Sequence, residues 1–159
     1  SINLKTLETY LNDFLLLNCM NDCLFCKIVK KEIPITKIYE DKKVLAILDI
    51  QPVNDGHVLI IPKKHAVLIT ELDDNLTSHL FKVAKKINIS LRKSGLKCEG
   101  VNYFLADGEA AMQEVPHVHL HVFPRYKKDG FGLKFAKKYF KLPSRKKLDI
   151  IAKKIKNNK

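Results

Sequence analysis

The sequence lacks the features that would place it in a membrane, a secretory route or a repeat array. Across its 159 residues, no apolar run approaches the ~20 residues that a bilayer-spanning helix needs. The first segment has neither a basic start nor a small-residue cleavage site, which argues against a signal peptide. There is no internal repeat and no long linker, so one domain of ordinary size is expected. Acid is also scarce, with 17 Asp+Glu against 29 Lys+Arg and a net charge of +12. The excess is almost all lysine and is densest after Tyr126. Such a surface attracts polyanions, so nucleotides and nucleic acids are both compatible partners, and so is a plain solvated lysine surface.

Apolar residues make up 46% of the chain and aromatics 8%, which is globular composition. A chain of this length buries about two-thirds of its unfolded surface and needs no disulfides. Its four cysteines are Cys19, Cys23, Cys26 and Cys98. Cys23 and Cys26 form a C-x-x-C pair, which in a reducing compartment is a metal or redox spacing more often than a disulfide. A cytoplasmic or similarly reducing location is therefore expected.

Leu4, Leu7, Leu11 and Leu15 recur at helical spacing, so residues 1–18 read as an appended amphipathic helix. Ile38–Glu40, Val44–Leu48, Val58–Ile61, Val101–Leu105 and Val115–Phe123 read as strands separated by turns. Residues 73–94 read as one long helix, capped by Asp73 or Asp74 and closed by Gly95, with Leu76, Leu80, Val83, Ala84, Ile87 and Leu91 on one face. A last, basic helix is expected from Arg145 to Lys156, within a tail over 144–159. Strands adjacent in sequence with one helix across them predict an α+β domain with an antiparallel sheet.

The most informative segment is His117-Val118-His119-Leu120-His121-Val122-Phe123-Pro124-Arg125. On a strand, residues two apart share a face, so three imidazoles line one side and Val118, Leu120 and Val122 the other. Imidazole titrates near neutrality, so one ring can attack while others donate protons or hold a charged phosphate. A metal site, or a surface strand with exposed histidines, is the plainer alternative.

With its Pro-Arg ending, this segment resembles the signature of the histidine triad (HIT) proteins. Other matches follow in order: Asp22-Cys23-Leu24-Phe25-Cys26-Lys27-Ile28, Tyr39-Glu40-Asp41, Leu45 to Ile50, Gly56 to His65, and Gln113-Glu114-Val115. The resemblance spans most of residues 20–142 and implies a HIT domain over 19–143. It further implies a five-stranded antiparallel sheet, extended across a homodimer, and a nucleotide hydrolase or transferase that needs no metal for catalysis. It makes His119 the nucleophile toward the α-phosphorus of a purine nucleotide. His121 would contact the phosphate and manage the leaving-group proton, with His57 supporting it and Gln113 near the bridging atom. Asp49 would take the ribose hydroxyls, and Leu24, Phe25, Ile28, Ile47 and Ile50 the base, although each of these five is also ordinary core. In bacterial-type members with the C-x-x-C pair, zinc is completed by residues that correspond here to His65 and His117, giving a structural Cys2His2 site with Cys23 and Cys26. Two buried reduced cysteines without metal, or Cys19 in place of a histidine, are the other readings.

Three positions depart from the pattern: Ala106 stands where many members have the amide of an Asn-x-Gly turn, and Met112 and Glu114 flank Gln113 where Gly and Ser or Thr are usual. They leave the leaving group open. A purine nucleoside phosphoramidase is the first expectation. A dinucleoside polyphosphate hydrolase, a zinc-stabilised nucleotide-binding protein without activity and, more weakly, a nucleic-acid deadenylating enzyme are the others. Neither a membrane nor nucleic acid is the expected partner.

Overall fold

A computed structural model describes residues 22–158. The helix read over residues 1–18, and Cys19, lie outside them. The described chain divides into two compact units, with the boundary in sequence between Asp129 and Gly130.

The first unit is built on a five-stranded antiparallel sheet. Its strands are β1 (Lys37–Glu40), β2 (Val44–Leu48), β3 (Val58–Pro62), β4 (Gly100–Phe104) and β5 (Leu120–Arg125), in the spatial order β1-β2-β3-β5-β4. Among the described residues two α-helices accompany it: the short α1 (Leu24–Val29) and the long α2 (Asp74–Lys93). The Asp73 carboxylate accepts the Leu76 backbone N–H at 2.8 Å and so caps α2. This occupies one of the donors that a helix start leaves unpaired.

Alternation divides the sheet into two faces. Val44, Ala46, Val58, Ile60, Leu120 and Val122 point to one side, where they meet the apolar stripe of α2 formed by Leu76, Leu80, Val83, Ala84, Ile87 and Leu91. Each Val, Leu or Ile among them contributes on the order of 1.5–3 kcal/mol on burial. On the other side Leu45, Ile47, Leu59 and Ile61 pack with Cys23, Phe25, Cys26 and Ile28 of the α1 region. The second face therefore carries the cysteine pair, and the register continues it directly onto the histidines: Ile47 pairs with Leu59, Leu59 with His121, and His121 with Phe104.

The largest departure from the sequence expectation is the start of the last strand; β1, β3 and β4 differ by at most a single residue at either end. The last strand begins at Leu120, not Val115. Residues 115–119 bend, with the His117 N–H donating to the Val115 carbonyl at 2.7 Å and the Val118 N–H to the Ala66 carbonyl at 2.8 Å. Pro116 has no donor for a ladder, which explains the late start. The strand then runs through Pro124 to Arg125. Pairing with β3 stops at Val122, so Pro124 interrupts no bond on that side.

The second unit holds a single-turn helix at Lys137–Phe140 and α3 (Arg145–Lys156), whose start is capped by the Ser144 hydroxyl. No described helix is long and apolar enough to cross a membrane.

Candidate active and metal sites

The three histidines of the signature stay on one side even though only His121 lies in the ladder. Ring centroids of His119 and His121 are 4.8 Å apart. Phe25 from α1 stands edge-on to both His117 and His119, at 5.8 and 5.0 Å. His57 joins from the start of β3, its ring 5.1 Å from that of His121.

Hydrogen bonds assign the tautomers. His119 Nδ1–H donates to the carbonyl of His117 at 2.8 Å, which leaves the lone pair on Nε2. The Val53 N–H donates to His57 Nδ1 at 3.1 Å, and His57 Nε2–H donates to His121 Nδ1 at 2.9 Å. The neutral His121 ring then carries its proton on Nε2. Burial is the main cause that lowers all these basicities, taking His121 to about 4 and His119 and His57 below the usual imidazole value. The rings are neutral at physiological pH, and a neutral ring is what a nitrogen nucleophile requires.

Asp49 accepts the Gln51 N–H through Oδ1 at 2.9 Å. Its Oδ2 faces His57 Nδ1 at 3.6 Å and His121 Nδ1 at 4.0 Å. The apolar residues separate into two groups. Phe25, Ile28 and Ile47 are buried in one cluster, whereas Leu24 is 45% and Ile50 95% exposed. The Gln113 amide is engaged within the protein: Oε1 accepts the Gly108 N–H at 2.7 Å and Nε2 donates to the Val67 carbonyl at 2.8 Å. Among the departures from the signature, Ala106 is buried, Met112 takes a left-handed φ of +67° and is exposed, and the exposed Glu114 sends its negative field to His119.

A second cluster adjoins the first. One donor atom each from Cys23, Cys26, His65 and His117 lies within 4.8 Å of the others. The His117 Nδ1 is 3.4 Å from Cys23 Sγ, 3.7 Å from Cys26 Sγ and 3.2 Å from His65 Nδ1, and Cys26 Sγ is 3.3 Å from His65 Nδ1. Zinc held tetrahedrally, at about 2.3 Å from sulfur and 2.0 Å from nitrogen, separates its ligand atoms by roughly 3.3–3.8 Å. The donor set fits. His117 Nε2–H donates to the Pro62 carbonyl at 2.9 Å, which turns the Nδ1 lone pair toward the cluster and supplies the outer support typical of ligating imidazoles.

Four contributors to the site are not evident from residue type. The Val53 amide and the Pro62 carbonyl orient two of the histidines, and backbone groups are invisible to residue type. The short helix α1, which brings Cys26, Phe25 and Ile28 inward, was masked by its length, although the three-residue Cys and Phe/Ile spacings match one helical face. Phe104, with its ring 5.8 Å from His121, follows from strand alternation once the β4–β5 register is known.

A five-stranded sheet that presents a cluster of neutral, hydrogen-bonded histidines beside a Cys2His2 donor set defines a histidine-triad type of protein. Residues 30–128 match the model of the HIT domain, and the chain belongs to that family. It is 48% identical over 116 residues to an uncharacterised HIT-like protein of Borreliella burgdorferi, a match covering 72% of this chain and 84% of that one. It is 40% identical to the protein of Candida albicans named adenosine 5'-monophosphoramidase HNT1, over 70% of this chain and 74% of that one. The crystal structure of a zinc-bound histidine triad family protein from Mycobacterium smegmatis aligns with a TM-score of 0.68 and 40% identity, covering 74% of this chain and 85% of that one.

Proposed function

We propose that this protein is a nucleotide hydrolase that cleaves purine nucleoside 5'-phosphoramidates, or related AMP conjugates, through a nucleotidyl group carried on His119. The observation that carries this reading is the 2.8 Å bond from His119 Nδ1 to the His117 carbonyl. It fixes the ring and leaves Nε2 as the nucleophile. Attack of Nε2 on the α-phosphorus forms the N–P bond and breaks the bond to the leaving amine. His121 Nε2–H, held by the His57 relay, is placed to hydrogen-bond the phosphoryl group and hand a proton to the departing nitrogen. Water then attacks phosphorus, and the nucleoside monophosphate leaves with His119 restored. Asp49 accepts hydrogen bonds from the ribose, and Phe25, Ile28, Ile47, Leu24 and Ile50 receive the base. Ile50 is free to do so because it is exposed. Gln113 acts here by fixing the loop before the triad.

Zinc in the Cys23, Cys26, His65 and His117 set would be structural, since four protein donors leave no open position. It ties α1 to the triad segment. The outer strand β4 exposes Tyr103 and Phe104, and an exposed edge with aromatics supports the homodimer reading. The family chemistry and the Candida albicans relative's name favour the phosphoramidate over a dinucleoside polyphosphate.

The test compares turnover of adenosine 5'-phosphoramidate and of diadenosine polyphosphates by wild type and His119→Asn. Phosphoramidate turnover that disappears in the variant supports the reading. Preference for the polyphosphate keeps the mechanism and changes the substrate. Binding of nucleotide without turnover of either refutes it.

A further inference from the structure

Three donors outside the cysteine-histidine cluster also converge. Asp49 follows β2, His57 precedes β3 and His121 lies in β5, and each offers a donor atom within 4.8 Å of the other two. Asp49 Oδ2 is 3.6 Å from His57 Nδ1 and 4.0 Å from His121 Nδ1. Their side chains are only 15%, 4% and 19% exposed, respectively. Two imidazoles and one carboxylate form a donor set that first-row dications accept, with positions left open on the metal.

We propose that Asp49, His57 and His121 form a second, exchangeable site for a zinc-class dication, and that filling it closes the nucleotide site. One lone pair is already in place, on His121 Nδ1, which accepts the His57 Nε2–H at 2.9 Å. The His57 atom on the shared side is therefore Nε2, and it binds metal once its proton has moved to Nδ1, where Asp49 Oδ2 stands 3.6 Å away. The shift stays within the ring, so no proton is released to solvent. The cost is two hydrogen bonds, from the Val53 amide to His57 and from His57 to His121. Asp49 must also approach, because its Oδ2 lies 4.0 Å from His121 Nδ1 and a nitrogen–oxygen tetrahedral edge is roughly 3.3 Å. With no sulfur ligand and with open positions, this site is weaker than the four-donor one, so it fills and empties while the structural metal stays. Metal here takes Asp49 away from a ribose and pulls His121 from its relay. The metal site stands on geometry alone, whereas the inhibition rests on the hydrolase reading.

The experiment titrates Zn²⁺ and Co²⁺ into the 159-residue chain already carrying one metal equivalent, by calorimetry and absorption spectroscopy. A second equivalent is expected to bind in the micromolar range, with a Co²⁺ spectrum lacking the thiolate charge-transfer band that marks the first. Asp49→Asn and His57→Asn are each expected to weaken the second equivalent at least tenfold while retaining the first, which also reports that they are folded. AMP should weaken it as well. A single equivalent only, or a second one untouched in both variants, overturns the site. A second equivalent that leaves phosphoramidate turnover unchanged overturns the inhibition. Absence of turnover in protein free of the second metal overturns the hydrolase reading, and metal stoichiometry still decides the site.

Discussion

The carbonyl of His117 accepts the Nδ1–H of His119 at 2.8 Å, while the ring of the same His117 points its own Nδ1 at Cys23 and Cys26. One residue therefore belongs to the Cys2His2 donor set through its side chain and orients the His119 ring through its backbone. Loosening of the donor set is therefore expected to reach His119 through the His117 backbone.

Cys26→Ser removes a donor from a buried set. Zinc binding to the folded state is folding free energy, so at stoichiometric metal the variant should lose several kcal/mol of stability and its zinc content. Turnover should fall, but less than in His119→Asn, because His119 keeps its ring and loses only the firmness of its support. Thermal melts with and without chelator, beside steady-state rates, check both.

Gly56→Ala should be costly. Gly56 has φ +95°, and a Cβ there would lie 2.9 Å from Leu91 Cδ2 and from Leu96 Cδ1. Left-handed strain and overpacking together predict a loss of about 2–4 kcal/mol. Because His57 is the next residue, turnover should drop too. Urea midpoints and kcat measure the two effects.

Asp73→Ala isolates scaffold from site. Loss of the α2 cap should cost about 1 kcal/mol. KM and kcat should not change, since α2 packs on the face of the sheet opposite the histidines.

Acid should weaken the fold through the buried rings. His121 is held at about 4, and His57 is also lowered by burial. In the unfolded chain both titrate near 6.5. Between those values the unfolded chain binds protons that the native chain refuses, so stability is full above about pH 6.5 and falls as pH drops toward 4. Urea midpoints at pH 7.5 and pH 5 should show the fall, and His121→Asn should flatten it.

Ile50→Ser should leave stability within about 0.5 kcal/mol, as expected for a surface side chain that is 95% exposed. With Ile50 in the base slot, KM should rise with kcat little changed. An unchanged KM removes Ile50 from the base slot.

Much of the molecule was legible in residue order. Strand alternation alone puts three histidines on one side and Val118, Leu120 and Val122 on the other, and those apolar residues are all buried. The periodicity of Leu76, Leu80, Val83, Ala84, Ile87 and Leu91 set α2 to within a residue at each end. Both patterns depend only on the fixed repeat of a strand or a helix. The bend at 115–119 was less legible, because one proline and a contact to the distant Ala66 carbonyl outweighed local β propensity. What tertiary structure alone decided is which atom of each histidine faces which partner. That choice depends on the Pro62 and His117 carbonyls and the Val53 amide. These groups are the same in every residue type and acquire direction only when distant strands pack.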